Sequence, residues 1–126
     1  MCGIIGLLSN DTAIDFLIQG LQQLQNRGYD SVGIAGFSDN TIIYKKYASV
    51  DNVNALEKLE TEKAFFNKCH IGIGHTRWAT HGAKTDTNSH PHYSMEKNFV
   101  LVHNGIIENF REIKEILEKE GFKFNT

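Results

Sequence analysis

A chain of 126 residues with 40% hydrophobic and 22% charged residues has the composition of one globular domain that can bury a core without staples. Its formal charge of −2 excludes the basic field that nucleic-acid binding needs, and no segment is apolar for long enough to cross a membrane. Two cysteines, Cys2 and Cys69, are too few for a disulfide framework and favour a reducing, cytoplasmic setting.

The first elements are a strand and a helix. Residues 2–8 are a compact apolar run that ends in turn-forming residues, which predicts a buried strand. From Thr12 the apolar residues recur every three or four positions, so we predict a helix. Asp11 or Thr12 is its predicted N-cap, and Gly28 lies beyond its end.

The middle of the chain continues this mixed pattern. Residues 31–37 and 41–47 are predicted to form two strands of a hairpin across a polar turn. Residues 53–66 are predicted to be helical because their apolar residues are partly in phase. A strand is predicted at residues 71–74, Ile-Gly-Ile-Gly. Its glycines have no side chains and so allow another backbone to approach closely.

The last elements resemble the first in type. Residues 83–98 are predicted to be a long polar loop, and residues 99–102 a buried strand. Residues 108–120 predict a helix with an apolar stripe, closed by Gly121 as its C′ residue. Residues 122–126 are predicted to begin another strand, which suggests that the chain is a fragment.

The second residue raises the first question of chemistry. A thiol has a pKa of about 8.5 and needs a base nearby to become a nucleophile. If Met1 is removed, the α-amine of Cys2, with an ordinary pKa of about 7.7–8.0, can be that base. A cysteine that simply begins a buried strand is the alternative, and position alone favours it.

Residues 75–82, His-Thr-Arg-Trp-Ala-Thr-His-Gly, follow the glycine-rich strand and form a second candidate site. The fork of Arg77 matches a carboxylate bidentately, and the hydroxyl of Thr80 can complete an anion site. These two residues can therefore hold the α-carboxylate of an amino acid, with Trp78 packing over the pocket. An arginine salt bridge beside a buried tryptophan explains the same residues equally well.

Asn104 and Gly105 follow the strand predicted at residues 99–102. An asparagine carboxamide and the next glycine N–H are the kinds of donor that form an oxyanion hole. Taken alone, however, Asn-Gly is a turn signal, and a turn is the better interpretation.

The six histidines raise the question of a metal site. Zinc sites usually combine closely spaced pairs of histidines or cysteines. The two cysteines are far apart, and neither Cys-x-x-Cys nor His-Glu-x-x-His occurs. Neither glycine-rich phosphate fingerprint occurs either, so we predict no metal and no cofactor.

Four stretches taken together are recognisable: CGIIG at residues 2–6, RGYDSVG at 27–33, HTRWATHG at 75–82 and HNGIIEN at 103–109. In this order they resemble the class II glutamine amidotransferases. Within this class, the residues of the four motifs are most similar to those of the glutaminase domain of the glutamine-fructose-6-phosphate aminotransferases, also called glucosamine-6-phosphate synthases. Relatives that serve phosphoribosyl pyrophosphate typically have RGQ, and asparagine synthetases have RGPD, where this chain has RGYD.

The resemblance implies an α+β fold of the N-terminal nucleophile hydrolase type, in which stacked antiparallel sheets lie between helical layers (αββα). Residues 1–126 would be the N-terminal part of the glutaminase domain, so the fold would be incomplete in this chain. In the family, an acidic Thr-Asp-Thr-Glu-type segment further along binds the α-amine of glutamine. That segment is absent here, so the group that binds the α-amine stays open.

The resemblance also implies catalytic roles. Cys2, exposed by loss of Met1, would attack the side-chain amide carbon of L-glutamine, with its own α-amine moving the proton. Asn104 and the N–H of Gly105 would stabilise the oxyanion.

The remaining implied roles concern binding. Arg77 and Thr80 would hold the substrate carboxylate, and His81 would line the pocket. Trp78 would help to seal the route of the ammonia, and Arg27 would brace the site near Cys2.

A sugar-phosphate isomerase domain in a longer chain would use the ammonia to make glucosamine 6-phosphate from fructose 6-phosphate, and an oligomer is compatible with this interpretation. One alternative is a truncated, catalytically impaired module that acts in binding only. Another is an amidotransferase that serves a different acceptor.

Overall fold

The computed structural model describes the backbone of residues 1–126 and every side chain except that of Arg27. The strands are β1 (Gly3–Leu8), β2 (Ser31–Ser38), β3 (Thr41–Ala48), β4 (Ile71–Arg77), β5 (His92–Tyr93) and β6 (Val100–Leu101). The helices are α1 (Ile14–Leu24), α2 (Ala55–Thr61) and α3 (Phe110–Lys119), with 3₁₀ turns at Gln25–Arg27 and Lys63–Phe66. No helix in this described chain is long and apolar enough to cross a membrane.

The larger sheet has the strand order β1-β4-β2-β3, and every neighbouring pair is antiparallel. β4 therefore lies between the N-terminal strand and the predicted hairpin, which β2 and β3 form across residues 39 and 40. His75 of β4 is in register with Ile4 of β1 and with Gly33 of β2. A separate pair, β5 and β6, forms the smaller sheet.

The hydrophobic core lies between one face of the larger sheet and the helices α1 and α2. The apolar period predicted for the first helix is confirmed, since its periodic residues are the buried ones. The largest fully buried apolar side chains are Phe66, Ile14, Leu17, Leu21, Ile34 and Leu59. Burying one such side chain contributes about 1.5–3 kcal/mol, so this interface holds the sheet and helices together.

The predicted N-cap of the first helix is wrong. α1 begins at Ile14 with Ala13 as its N-cap residue, and no side chain caps it. The N–H of Ala13 instead donates to the carbonyl of Cys69 at 2.7 Å, in a fully buried position. A tertiary backbone contact thus fixes the start of this helix, where a capping side chain was expected.

The helix predicted at residues 53–66 is interrupted. α2 begins after Asn54, whose Oδ1 accepts hydrogen bonds from the N–H groups of Leu56 at 2.9 Å and Glu57 at 3.5 Å. It ends at Thr61, and a 3₁₀ turn follows.

Burial was predicted too widely for both apolar strands. In β1 the residues alternate, so that Leu8 remains 76% exposed, and Leu101 of β6 is 55% exposed. α3 forms and is followed by Gly121 at a φ of +95°, as predicted, but its apolar stripe lies in solvent. Residues 122–126 form no strand. These surfaces stay open because no further layer of the described chain packs on them.

The free face of the larger sheet is covered at one end by residues 87–93. Lys46 of β3 donates its Nζ to the carbonyls of Thr87 at 3.0 Å and Ser89 at 2.8 Å. Tyr44 stacks on Tyr93 with the ring centroids 4.5 Å apart. A Cβ on Gly33 would lie 2.1 Å from the carbonyl oxygen of His90, so this approach requires glycine.

Replacing this glycine tests the close approach. Gly33→Ala forces a methyl group into the backbone of His90, and overpacking of this kind should lower the free energy of unfolding by about 2 kcal/mol or more. Urea unfolding followed by the fluorescence of Trp78, the single tryptophan, measures the change. Gly6→Ala is the control, because a Cβ there would meet its nearest atom at 3.7 Å and should change stability by less than about 1 kcal/mol. Equal stability of the two variants would contradict the contact.

Candidate functional site

A cavity of about 850 Å³ opens where the start of β1, the end of β4 and the helix α3 meet. Residues from three of the four recognisable stretches line it. The predicted site residues in its lining are Cys2, Arg77, Trp78, Thr80, His81 and Gly105. Residues that are up to 103 positions apart in the sequence thus face one space.

Cys2 is held at this cavity by pairing of the N-terminal strand with β4. The N–H of Gly3 donates to Oγ1 of Thr76 at 3.1 Å. The N–H of Trp78 donates to Sγ of Cys2 at 3.3 Å. The thiol is half-buried and has contacts with the polypeptide on one side and the cavity on the other.

Asn104 is brought against the same residue. Its Nδ2 donates to the carbonyl oxygen of Cys2 at 3.0 Å, and its Oδ1 lies 2.8 Å from Nε2 of His75. Gly105 follows with a φ of +155°, and a Cβ there would lie 2.9 Å from the ring of His103. The Asn-Gly pair therefore bends the chain at the cavity and places the Asn104 carboxamide beside the backbone of Cys2.

Arg77 is 9% exposed, and its guanidinium reaches the loop that follows it. Nη1 donates to the carbonyl of Ala83 at 3.1 Å, and Nη2 donates to the carbonyl of His81. Among the described residues Arg77 forms no salt bridge, and Trp78 is 42% exposed. The alternative of an arginine salt bridge beside a buried tryptophan is therefore wrong.

The other predicted site residues of this loop are exposed to solvent. Thr80 and His81 are exposed, and Oγ1 of Thr80 lies 3.2 Å from Nδ1 of His81. Trp78 packs edge-on against Tyr29, with the ring centroids 5.3 Å apart. The predicted bracing by Arg27 concerns a side chain outside the described part of the structure.

Asp30 holds the loop and was missed at the sequence level. Its Oδ2 accepts the N–H of Ala79 at 2.8 Å, and its Oδ1 lies 2.6 Å from Nζ of Lys84. Burial would raise the pKa of Asp30, but the Lys84 ammonium, the Ala79 N–H and the charge of Arg77 outweigh it and lower that pKa. The sequence signal that could have identified Asp30 was an acidic residue directly before an apolar strand.

A cluster of three histidines borders the cavity, and its ring contacts were missed at the sequence level. The rings of His75 and His90 are 4.2 Å apart, and those of His90 and His92 are 4.3 Å apart. Burial, together with neighbouring positive charges, lowers the pKa of His90 to about 3 and that of His92 to about 4. These rings are neutral at pH 7. Across the described side chains, no group of three or more histidine, cysteine or acidic residues is placed to hold a metal ion.

Comparison with known proteins identifies the family of the chain. The family model described as a glutamine amidotransferase domain matches residues 60–126, which is more than half of the chain. The chain therefore belongs to the glutamine amidotransferase family. The predicted enzyme class is confirmed by this match.

Curated relatives extend the similarity over the whole chain. Three are named glutamine-fructose-6-phosphate aminotransferase (isomerizing), from Thermotoga maritima, Aquifex aeolicus and Fusobacterium nucleatum. They are 44%, 46% and 48% identical to this chain and cover 100% of it. The chain spans 20–21% of their length. The predicted resemblance to these aminotransferases is confirmed.

Two solved structures match the fold. One is glutamine phosphoribosylpyrophosphate amidotransferase from B. subtilis complexed with ADP and GMP, with a TM-score of 0.77 and 25% identity. The other is described as the allosteric regulatory enzyme of purine biosynthesis, with a TM-score of 0.80 and 26% identity. Each covers 100% of this chain, which spans 26% and 27% of theirs. The predicted α+β fold of the N-terminal nucleophile type is confirmed.

The role of Asp30 has a testable pH dependence. Asp30→Asn removes the charge that binds Lys84 and should lower the free energy of unfolding at pH 7 by about 1–2 kcal/mol. Because the folded-state pKa is lowered, the carboxylate stabilises the fold above its unfolded pKa of about 3.9. This stabilisation is lost as pH falls through the folded pKa, so the two proteins should begin to converge below about pH 4 and differ least below the folded pKa.

Urea unfolding at a series of pH values measures that difference. Asp39→Asn is the matched control, since Asp39 also pairs with a lysine, Lys68, at 3.4 Å, but both side chains are more than three-quarters exposed. Exposed pairs contribute little, so its effect should stay within about 0.5 kcal/mol. A constant deficit for Asp30→Asn down to pH 2 would contradict the argument.

Proposed function

We propose that this chain hydrolyses the side-chain amide of L-glutamine to glutamate and ammonia through a thioester on Cys2. The observation that carries the proposal is a single cavity lined by Cys2, Arg77 and Gly105. Beside it, the carboxamide of Asn104 donates a hydrogen bond to the carbonyl oxygen of Cys2. A thiol, a carboxylate-binding fork and amide donors are the groups that attack on an amino-acid side-chain amide requires.

The proposed reaction begins after removal of Met1, which leaves the α-amine and the thiol on Cys2. The amine takes the thiol proton while Sγ bonds to the amide carbon, and the carbonyl electron pair moves to oxygen. Asn104 and the N–H of Gly105 stabilise this oxyanion. The C–N bond then breaks, the ammonium returns the proton to the leaving nitrogen, and ammonia departs. Water attacks the thioester, which releases glutamate and restores the thiol.

The loop after β4 would bind the amino-acid end of glutamine. A guanidinium has five N–H donors, and in the described chain Arg77 uses two of its nitrogens on loop carbonyls. Its further donors and the exposed hydroxyl of Thr80 would hold the α-carboxylate, with His81 lining the pocket. Trp78 would cover the route by which ammonia leaves, and Arg27 would brace the site.

The acceptor of the ammonia is proposed from the relatives. This chain is 44–48% identical to glutamine-fructose-6-phosphate aminotransferases, against 25–26% for the two solved amidotransferases. Residues 1–126 would be the N-terminal part of a glutaminase domain. A sugar-phosphate isomerase domain in a longer chain would then form glucosamine 6-phosphate from fructose 6-phosphate. The two free cysteines support a reducing, cytoplasmic setting.

The exposed apolar face of α3 favours a second candidate, a truncated, catalytically impaired module that acts in binding only. Ile113 and Ile116 are 39% and 50% exposed, although this helix forms one side of the cavity. Calorimetric binding of glutamine with no release of ammonia would select this candidate.

The nucleophile can be tested by labelling. A diazo-ketone analogue of glutamine should alkylate Cys2 and abolish ammonia release, and intact mass should show that Met1 is absent. Cys2→Ser should reduce turnover by at least about 100-fold, because a serine hydroxyl is hardly ionised by an amine base. Cys69→Ala is the control, since Cys69 is buried in the core away from the cavity and its loss should leave labelling intact. Labelling of Cys69, or retention of Met1 in an active protein, would contradict the mechanism.

The carboxylate site predicts a change in substrate affinity. Arg77→Lys keeps the charge but loses the planar fork, so KM for glutamine should rise about 10- to 100-fold while kcat changes less. Steady-state ammonia release measures both constants. Arg111→Lys, an exposed arginine on α3, is the control and should leave KM unchanged. An unchanged KM for Arg77→Lys would remove Arg77 from the binding site.

A further inference from the structure

The carboxamide of Asn104 is held from two sides. Its Nδ2 reaches the carbonyl oxygen of Cys2 at 3.0 Å, and its Oδ1 reaches Nε2 of His75 at 2.8 Å. A carboxamide nitrogen carries two hydrogens, and the bond to Cys2 uses one of them. The other Nδ2 hydrogen has no hydrogen-bond partner among the described residues.

These contacts determine which nitrogen of His75 carries the proton. A carbonyl oxygen can only accept, so the end of the Asn104 amide that faces Cys2 must be the NH₂ group. The end that faces His75 must then be the oxygen, which also only accepts. Nε2 of His75 must therefore be the protonated nitrogen and donate to Asn104.

His75 is itself rigidly placed and neutral. It is 1% exposed, lies in the middle strand between Ile4 and Gly33, and stacks on His90. Its Nδ1 has no hydrogen-bond partner among the described residues, so a second proton would create a buried unpaired N–H. Burial lowers the pKa of His75, although the hydrogen bond to Asn104 opposes this.

We propose that His75 is a positioning residue, which donates from Nε2 to Oδ1 of Asn104 and so aims the free Nδ2 hydrogen at the oxyanion. This inference rests on the proposed function. A freely rotating amide can turn its oxygen toward the developing negative charge, where it repels the charge. The bond from His75 prevents that rotation without touching the substrate.

Two substitutions separate positioning from packing. His75→Phe keeps a ring that can stack on His90 but has no donor, whereas His75→Gln keeps an N–H donor but loses the ring. If His75 positions Asn104, His75→Phe should lower kcat for glutamine hydrolysis by about 10- to 100-fold with KM within about twofold of wild type. His75→Gln should recover most of kcat. The reverse order, with Phe active and Gln impaired, would overturn the proposal.

A spectroscopic measurement on the unsubstituted chain and on Asn104→Ala does not depend on turnover. ¹⁵N-edited NMR of the histidine rings should show His75 as the neutral Nε2–H tautomer at pH 7, with a signal that shifts in Asn104→Ala. A Nδ1–H tautomer, or no response to Asn104→Ala, would overturn the hydrogen bond. A chain that shows this tautomer but releases no ammonia would overturn the proposed function and not the hydrogen bond.

Discussion

The candidate site depends on the antiparallel pairing of β1 with β4. This ladder places Gly3 opposite Thr76 and Ile4 opposite His75, so that Cys2 comes to the backbone of Trp78. Chain termini are normally frayed, and a reactive group at residue 2 gains a defined position only through such pairing. β4 also carries His75 and Arg77, so a single strand positions Cys2, the His75 partner of Asn104 and Arg77 relative to one another.

The stretch at residues 27–33 supports that strand and adds no chemistry of its own among the described side chains. Gly28 allows the backbone of Arg77 and Trp78 to approach, since a Cβ there would lie 2.7 Å from the carbonyl carbon of Arg77. Asp30 ties down the following loop, and Gly33 admits the segment of His90. The chain thus uses small residues and one buried carboxylate to keep the loop after β4 in place.

Most elements and the composition of the cavity could be predicted from the sequence because their signals are local. Periodicity predicted α1 and the hairpin, and the recognised stretches predicted that Cys2, Arg77 and Gly105 share a site. Burial could not be predicted, because it depends on which layers pack together. Leu101 was predicted to lie in a buried strand but is 55% exposed. The contact between His75 and Asn104 was also missed, because it joins residues 29 positions apart that have no common pattern. The catalytic roles themselves stay predictions.

The separation of these residues along the chain has a consequence for folding. The contact of Cys2 with Trp78 spans 76 residues, and that of Asn104 with Cys2 spans 102. Closing such long loops is entropically costly, and contacts of this kind form late compared with local helices and hairpins. A partly folded chain therefore has a cysteine but no site around it. The arrangement of groups around Cys2 therefore arises only together with the completed tertiary structure.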